Sequence, residues 1–191
     1  SRAEARVLGA DPISDIAVIK VDRDDVEIVS IGIEAAQQAM LAGAVDGATL
    51  LEPSVTIVQA RNPKLRMVAT ALEMFPGIPG VVLAVSRRFL AQQRGAVVSL
   101  LKLHARATRL IVEKPSEAAP YVASVLGGGL VDPALMVRAM TSPAIRYVAD
   151  PRLIIGPTST LLAYQTKLGD FPQAPPTDGL FDLSVWDEAM K

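Results

Sequence analysis

Two carboxylates, a turn ahead of a helix and one aromatic ring are the groups in this sequence best placed for chemistry. Asp46 and Glu52 bracket an apolar run at 44–51, and Glu52 stands directly before Pro53. If that run is a strand, the two acids lie at its ends, and α/β sheets bind ligands outside the carboxyl ends of their strands. Glu52 would accept hydrogen bonds from an amine or hydroxyl there. The plainer alternative has Asp46 closing a turn and Glu52 facing solvent at a hinge. Ser30-Ile31-Gly32 falls between a strand-like 26–29 and a helical 34–42. Free N–H groups at a helix start attract anions, so sulfonate or carboxylate suits this turn; the alternative is an ordinary cap by Ser30 or Gly32. Phe75 opens a loop with two prolines and two glycines, where its ring either covers an apolar ligand or fills a core. The ligand-binding candidates are therefore Glu52, Ser30, Gly32, Asp46 and Phe75, with no catalytic residue, metal ligand or cofactor implied.

Other chemistries are narrowed by what is missing. No cysteine occurs in the 191 residues, which removes disulfides, thiolate metal sites and cysteine nucleophiles. His104 is the single histidine and has no clustered ligand partners. Gly127-Gly128-Gly129 lacks the frame of a phosphate loop and follows a helical pattern, not a strand. Nineteen Lys and Arg against 20 Asp and Glu leave a net charge of −1, so there is no general attraction for nucleic acid. Aromatics make up only 4%, too few for base-stacking platforms. Arg87, Arg88, Arg94, Lys102, Arg106, Arg109 and Lys114 form a basic stretch whose helical spacing reads mainly as a solvated face, with anion or transporter docking as the alternative. The most apolar long stretch, 97–112, carries Lys102, His104, Arg106 and Arg109, which argues against a membrane span.

The elements that must position these groups read as an alternation of apolar runs and helical patterns, which signals an α/β layer fold. Strands are expected at 16–19, 26–29, 44–51, 66–71 and 81–85, the last apolar enough for burial on both faces. Helices are expected over 34–42 with Gly43 as C-cap, over 54–60, after a Ser86 cap, and over 96–113 with Lys102, Arg106, Arg109 and Glu113 outward. Further helices are expected from Pro115 to about Leu126, from an Asp132-Pro133 start through Met140, and from Gly156-Pro157-Thr158 to before Gly169. Residues 170–191 read as a Pro-rich stretch and a short amphipathic tail anchored by Trp186.

Several of these segments also resemble, in order and spacing, the C-terminal portion of solute-binding proteins of ABC importers, in the sulfonate, taurine, nitrate and thiamine-precursor group. The likeness rests on the helix around Ala35 to Leu41 leading into Ala42-Gly43-Ala44-Val45-Asp46-Gly47-Ala48, on Leu51-Glu52-Pro53, and on Val82-Leu83-Ala84-Val85-Ser86 followed by Phe89-Leu90. Pro115-Ser116-Glu117-Ala118-Ala119 and Gly179-Leu180-Phe181-Asp182-Leu183-Ser184 extend it to the end of the chain. The resemblance implies an α/β periplasmic-binding-protein fold of the two-lobed flytrap type, incomplete at the N-terminus. Residues 1–60 would belong to the inserted lobe and 61–191 to the first lobe with a helical tail. It also implies a small-molecule solute as ligand, an ABC permease in the membrane as partner, a periplasmic location and no catalysis. An enzyme of the same group, a pyrimidine-precursor synthase or desulfinase, is the alternative, and a sensory effector-binding domain a third. Residues 5–20 separately resemble a strand pair of HtrA-type serine proteases, with Asp15 at the triad position. The chain has no G-x-S-G segment, and its only histidine lies in a helical pattern.

Overall fold

The computed structural model describes residues 5–11, 16–21, 32–126 and 131–191. The chain divides into two compact units, Ser1–Val68 and Ala69–Lys191. The expected strand at 26–29, and Ser30 and Ile31, lie outside the described residues.

In the first unit β1 (Ala5–Asp11) pairs antiparallel with β2 (Ile16–Val21), Ala5 opposite Val21 and Asp11 opposite Ile16, with an irregularity between Val7 and Gly9. Helix α1 (Ile33–Ala42) ends where the sequence places its stop. Gly43 takes a left-handed φ of 68°, which lets its N–H turn back to the carbonyls of Ala39 and Met40. Helix α2 (Ser54–Arg61) packs against α1; Ala36 on one, and Thr56 and Val58 on the other, are buried.

In the second unit α3 (Ala71–Met74) is a single turn held by a capping box. Glu73 N donates to the Thr70 hydroxyl at 3.1 Å, and Thr70 N donates to the Glu73 carboxylate at 2.7 Å. The Thr70 hydroxyl also donates to the Glu73 carboxylate, at 2.9 Å, and the bond from Thr70 N together with this one holds the Glu73 carboxyl below its usual range. Ser86 caps α4 (Arg87–Gln92) by accepting from Phe89 N at 3.2 Å. The 20-residue α5 (Arg94–Glu113) follows at once; Val97 and Val98 point inward, while Lys102, Arg106, Arg109 and Glu113 are exposed, as the heptad-like spacing requires. Helices α6 (Pro115–Leu126) and α7 (Pro133–Met140) form the larger core. Ala118, Ala119 and Ala123 let α7 come close enough to bury Met136, Ala139 and Met140, with Leu110 and Ile111 of α5 beside them. Asp132 caps α7 by accepting from Ala134 N at 2.9 Å, with Pro133 supplying the preset φ of the first turn.

Helix α8 (Arg152–Leu168) begins four residues before the expected Gly156-Pro157 start. Asp150 accepts from Arg152 N at 2.9 Å, so the cap lies upstream and Pro157 falls inside the helix, where it has no N–H for the Leu153 carbonyl. The loop at 75–80 lies on α8: a Cβ on Gly77, at φ 78°, would stand 3.0 Å from Pro157 Cγ. Helix α9 (Leu183–Ala189) seats Val185 and Ala189 on Val97 and Val98 of α5 and buries Trp186, as expected of the tail. Arg94 reinforces that seat, donating to Glu188 at 2.8 Å and to the Ser184 hydroxyl at 3.1 Å.

The α/β flytrap expectation is overturned. Among the described residues the only strands are β1 and β2, an antiparallel pair, and the rest of the regular structure is helical. The expected strands at 44–51, 66–71 and 81–85 are irregular, apart from Ala71, which starts α3. Val81, Val82 and Leu83, expected to be buried on both faces, are 90%, 57% and 51% exposed. A strand exists only through the ladder it shares with a neighbour; a local apolar run with no strand beside it keeps its backbone hydrogen bonds with water. No described helix is long and apolar enough to cross a membrane.

Candidate functional site

Glu52 is the candidate that the structure equips best. Pro53 occupies the N-cap of α2 and brings no side-chain acceptor to the helix start. Glu52 does so from one residue earlier: its Oε2 accepts from Thr56 N at 3.2 Å, filling one of the free N–H positions of the first turn. A negative charge at this end also suits the helix dipole. The second oxygen, Oε1, is shut off from solvent and has no hydrogen-bond partner among the described residues. Orphaned buried acceptors are costly, about 1–3 kcal/mol and more when the group is charged, so such an atom is a standing demand for a donor. The sequence reading anticipated Glu52 as an acceptor but missed Thr56. The signal was present: a carboxylate four residues ahead of Thr56, across a proline that opens a helix and cannot cap it.

The remaining candidates are placed less favourably. Gly32 is the exposed N-cap of α1, with φ −62° and ψ 157°, and no side chain caps that helix. Its first turn already contains Glu34, whose carboxylate competes with any external anion for the positive end of the dipole. Asp46 is exposed in an irregular bend, not at a strand end, and has no hydrogen-bond or ion-pair partner among the described residues. Ser30 lies outside the described residues. Gly32, Asp46 and Glu52 all belong to the first unit, and no hydrogen bond joins any of them to another. Phe75 belongs to the second unit, where it ends α3. Its ring meets Tyr164 of α8 at a centroid distance of 6.0 Å and an interplanar angle of 58°, a tilted aromatic pair that occupies it with packing. No cluster of three or more His, Asp or Glu capable of holding a metal ion occurs among the described residues.

A family model described as the NMT1-like family matches residues 8–127, well over half of the chain. The match spans the cap of α1, Asp46 and the Glu52–Thr56 contact. It begins inside the segment that resembles a protease strand pair, and it ends before α7, α8 and α9. No curated protein and no solved structure matches.

Proposed function

Because the chain belongs to the NMT1-like family, within a group of periplasmic binding proteins, we propose that it is a solute-binding component of an ABC importer. It captures a small organic solute outside the cytoplasm and passes it to a membrane permease. The observation that carries the choice of solute is the orphaned Oε1 of Glu52. A buried carboxylate oxygen attracts N–H and O–H donors and repels sulfonate and nitrate. Among the solutes that the group suggests, an aminopyrimidine of the thiamine-precursor kind fits this atom and the oxyanions do not. Glu34 in the first turn of α1 argues against an oxyanion at the Gly32 helix start for the same reason.

Thermal-shift titration of the chain with a 4-aminopyrimidine, methanesulfonate and nitrate tests this reading. The aminopyrimidine raises Tm in a saturable way, and the two anions do not. Glu52→Ala weakens the aminopyrimidine by about tenfold or more, the loss expected for one hydrogen bond to a charged group. Glu52→Gln keeps an acceptor for Thr56 N and controls for loss of the cap. Saturable binding of either anion, or aminopyrimidine binding indifferent to both substitutions, would falsify the assignment.

A further inference from the structure

We propose that the second unit has a small-molecule site of its own: a cleft between α5, the residues just before α8, and α9, which binds a small zwitterion with an ammonium and a carboxylate group. The site goes beyond the Glu52 reading and does not depend on it. This cleft, open to solvent, has a volume of about 280 Å³ and is lined among others by Thr108, Arg109, Val112, Glu113, Asp150 and Trp186. At a share of ~30 Å³ per water this is room for roughly nine waters, or one molecule the size of a short amino acid.

Local structure brings these groups together. Thr108, Arg109, Val112 and Glu113 fall on one face of successive α5 turns. Trp186 is brought in by α9, which is locked to α5 by Val185 and Ala189 on Val97 and Val98 and by the Arg94–Glu188 ion pair. Asp150 is held by Arg152: its Oδ1 accepts the Arg152 backbone N–H at 2.9 Å and lies 3.4 Å from one guanidinium nitrogen. The other guanidinium arm bonds Asp187 of α9. One arginine thereby ties two walls of the cleft and orients the acid between them.

What the cleft presents is unused hydrogen-bonding capacity of both signs. Arg109 and Glu113 make no ion pair or hydrogen bond with any described residue, although they lie one helical turn apart. Trp186 lines the cleft, and its indole N–H has no hydrogen-bond partner among the described residues. The Arg109 guanidinium suits a carboxylate. Glu113 and the free Oδ2 of Asp150 suit an ammonium. Val112 and the buried body of Trp186 receive a short aliphatic chain. A plain carboxylate meets two like charges here, and a plain amine leaves Arg109 unmatched; a zwitterion answers both.

Trp186 is the chain's single tryptophan, so its emission reports on this cleft alone. In a titration of the full chain with L-valine, Trp186 fluorescence changes saturably. Isobutylamine and isobutyrate, each with one of the two charges, bind at least about tenfold more weakly. Arg109→Gln and Glu113→Gln each weaken L-valine by about tenfold. Both residues are exposed, so the variants fold, and unchanged far-UV circular dichroism verifies it. Glu52→Gln leaves this titration unchanged, which separates failure here from failure at Glu52. A non-saturable or absent response to L-valine, or one that either charge-removing variant leaves untouched, overturns the proposal.

Discussion

Among the residues whose burial is described, the two compact units use their apolar side chains differently. In the second unit α5, α6, α7 and α9 surround two buried clusters, one built on Ala118, Ala119, Ala123 and Met136, the other on Val97, Val98, Val185 and Ala189. In the first unit the described buried side chains are Ala36, Thr56 and Val58, a single contact between two short helices. Within both units the same distinction holds between helices and unpaired extended runs, 44–51 in the first and 81–85 in the second. A helix satisfies its own backbone and needs only one neighbour for its apolar stripe. An apolar extended run needs a hydrogen-bonded neighbour before it can be buried at all.

The largest expected effect tests this contrast directly. Met136 is 1% exposed and fills the α6–α7 core. Met136→Ala destabilises the second unit by about 3 kcal/mol, the usual cost of emptying such a site, read from the denaturant midpoint. Val58→Ala in the first unit costs less, about 1 kcal/mol, because a smaller side chain leaves a smaller void. Equal losses would mean that the first unit is as tightly packed as the second, and the contrast fails.

A smaller effect sharpens the account of α9. The Asp182 carboxyl is held below its usual value near 3.8, first by the Ser184 hydroxyl that donates to it and also by nearby Arg94. A folded-state pKa below the unfolded one means stabilisation that is full above the unfolded value and lost as pH falls through the lowered one. Acid titration followed by Trp186 emission therefore shows α9 loosening at the acid end. Asp182→Asn removes that part of the pH response; an unchanged profile places the acid sensitivity elsewhere. The smallest effect is expected in the exposed run at 81–85. Val82→Ser changes stability by no more than about 0.5 kcal/mol. A loss several times larger would show that the run is buried in solution and would erase the difference between the two kinds of segment.

The same distinction explains what the sequence made legible. Local rules located helix ends closely. Gly43 and Gly169 stop α1 and α8, Ser86 and Asp132 start α4 and α7, and the outward Lys102, Arg106, Arg109 and Glu113 orient α5. Each of these signals acts within one or two turns, so no distant residue is needed to realise it. The start of α8 was misplaced because Gly156-Pro157 imitates a helix opening, while the helix opens after Pro151 with Asp150 accepting from its first N–H. Runs 44–51, 66–71 and 81–85 have strand composition, but composition does not provide the pairing partner. At the candidate site, residue type put Glu52 forward as an acceptor for a ligand's N–H or O–H, and the acceptor role seen in the structure is toward Thr56 N. The division of labour between its oxygens, Oε2 to Thr56 and Oε1 to nothing, depends on where α2 begins. Phe75 was ambiguous by type alone, and its aromatic neighbour Tyr164 lies 89 positions later, beyond the reach of any local rule.

The exposed valines at 81–85 also bear on how the protein behaves in a crowded tube. An apolar, uncharged, β-branched run open to solvent is a seed for intermolecular β association. Here it is hemmed by Pro79 and Gly80 on one side and by Arg87 and Arg88, both exposed, on the other. Flanking prolines and positive charges act as gatekeepers, because a stack of copies would have to place like charges next to each other. Association through this run is thus opposed by two exposed arginines, and it is favoured in concentrated salt, where their repulsion between copies is screened.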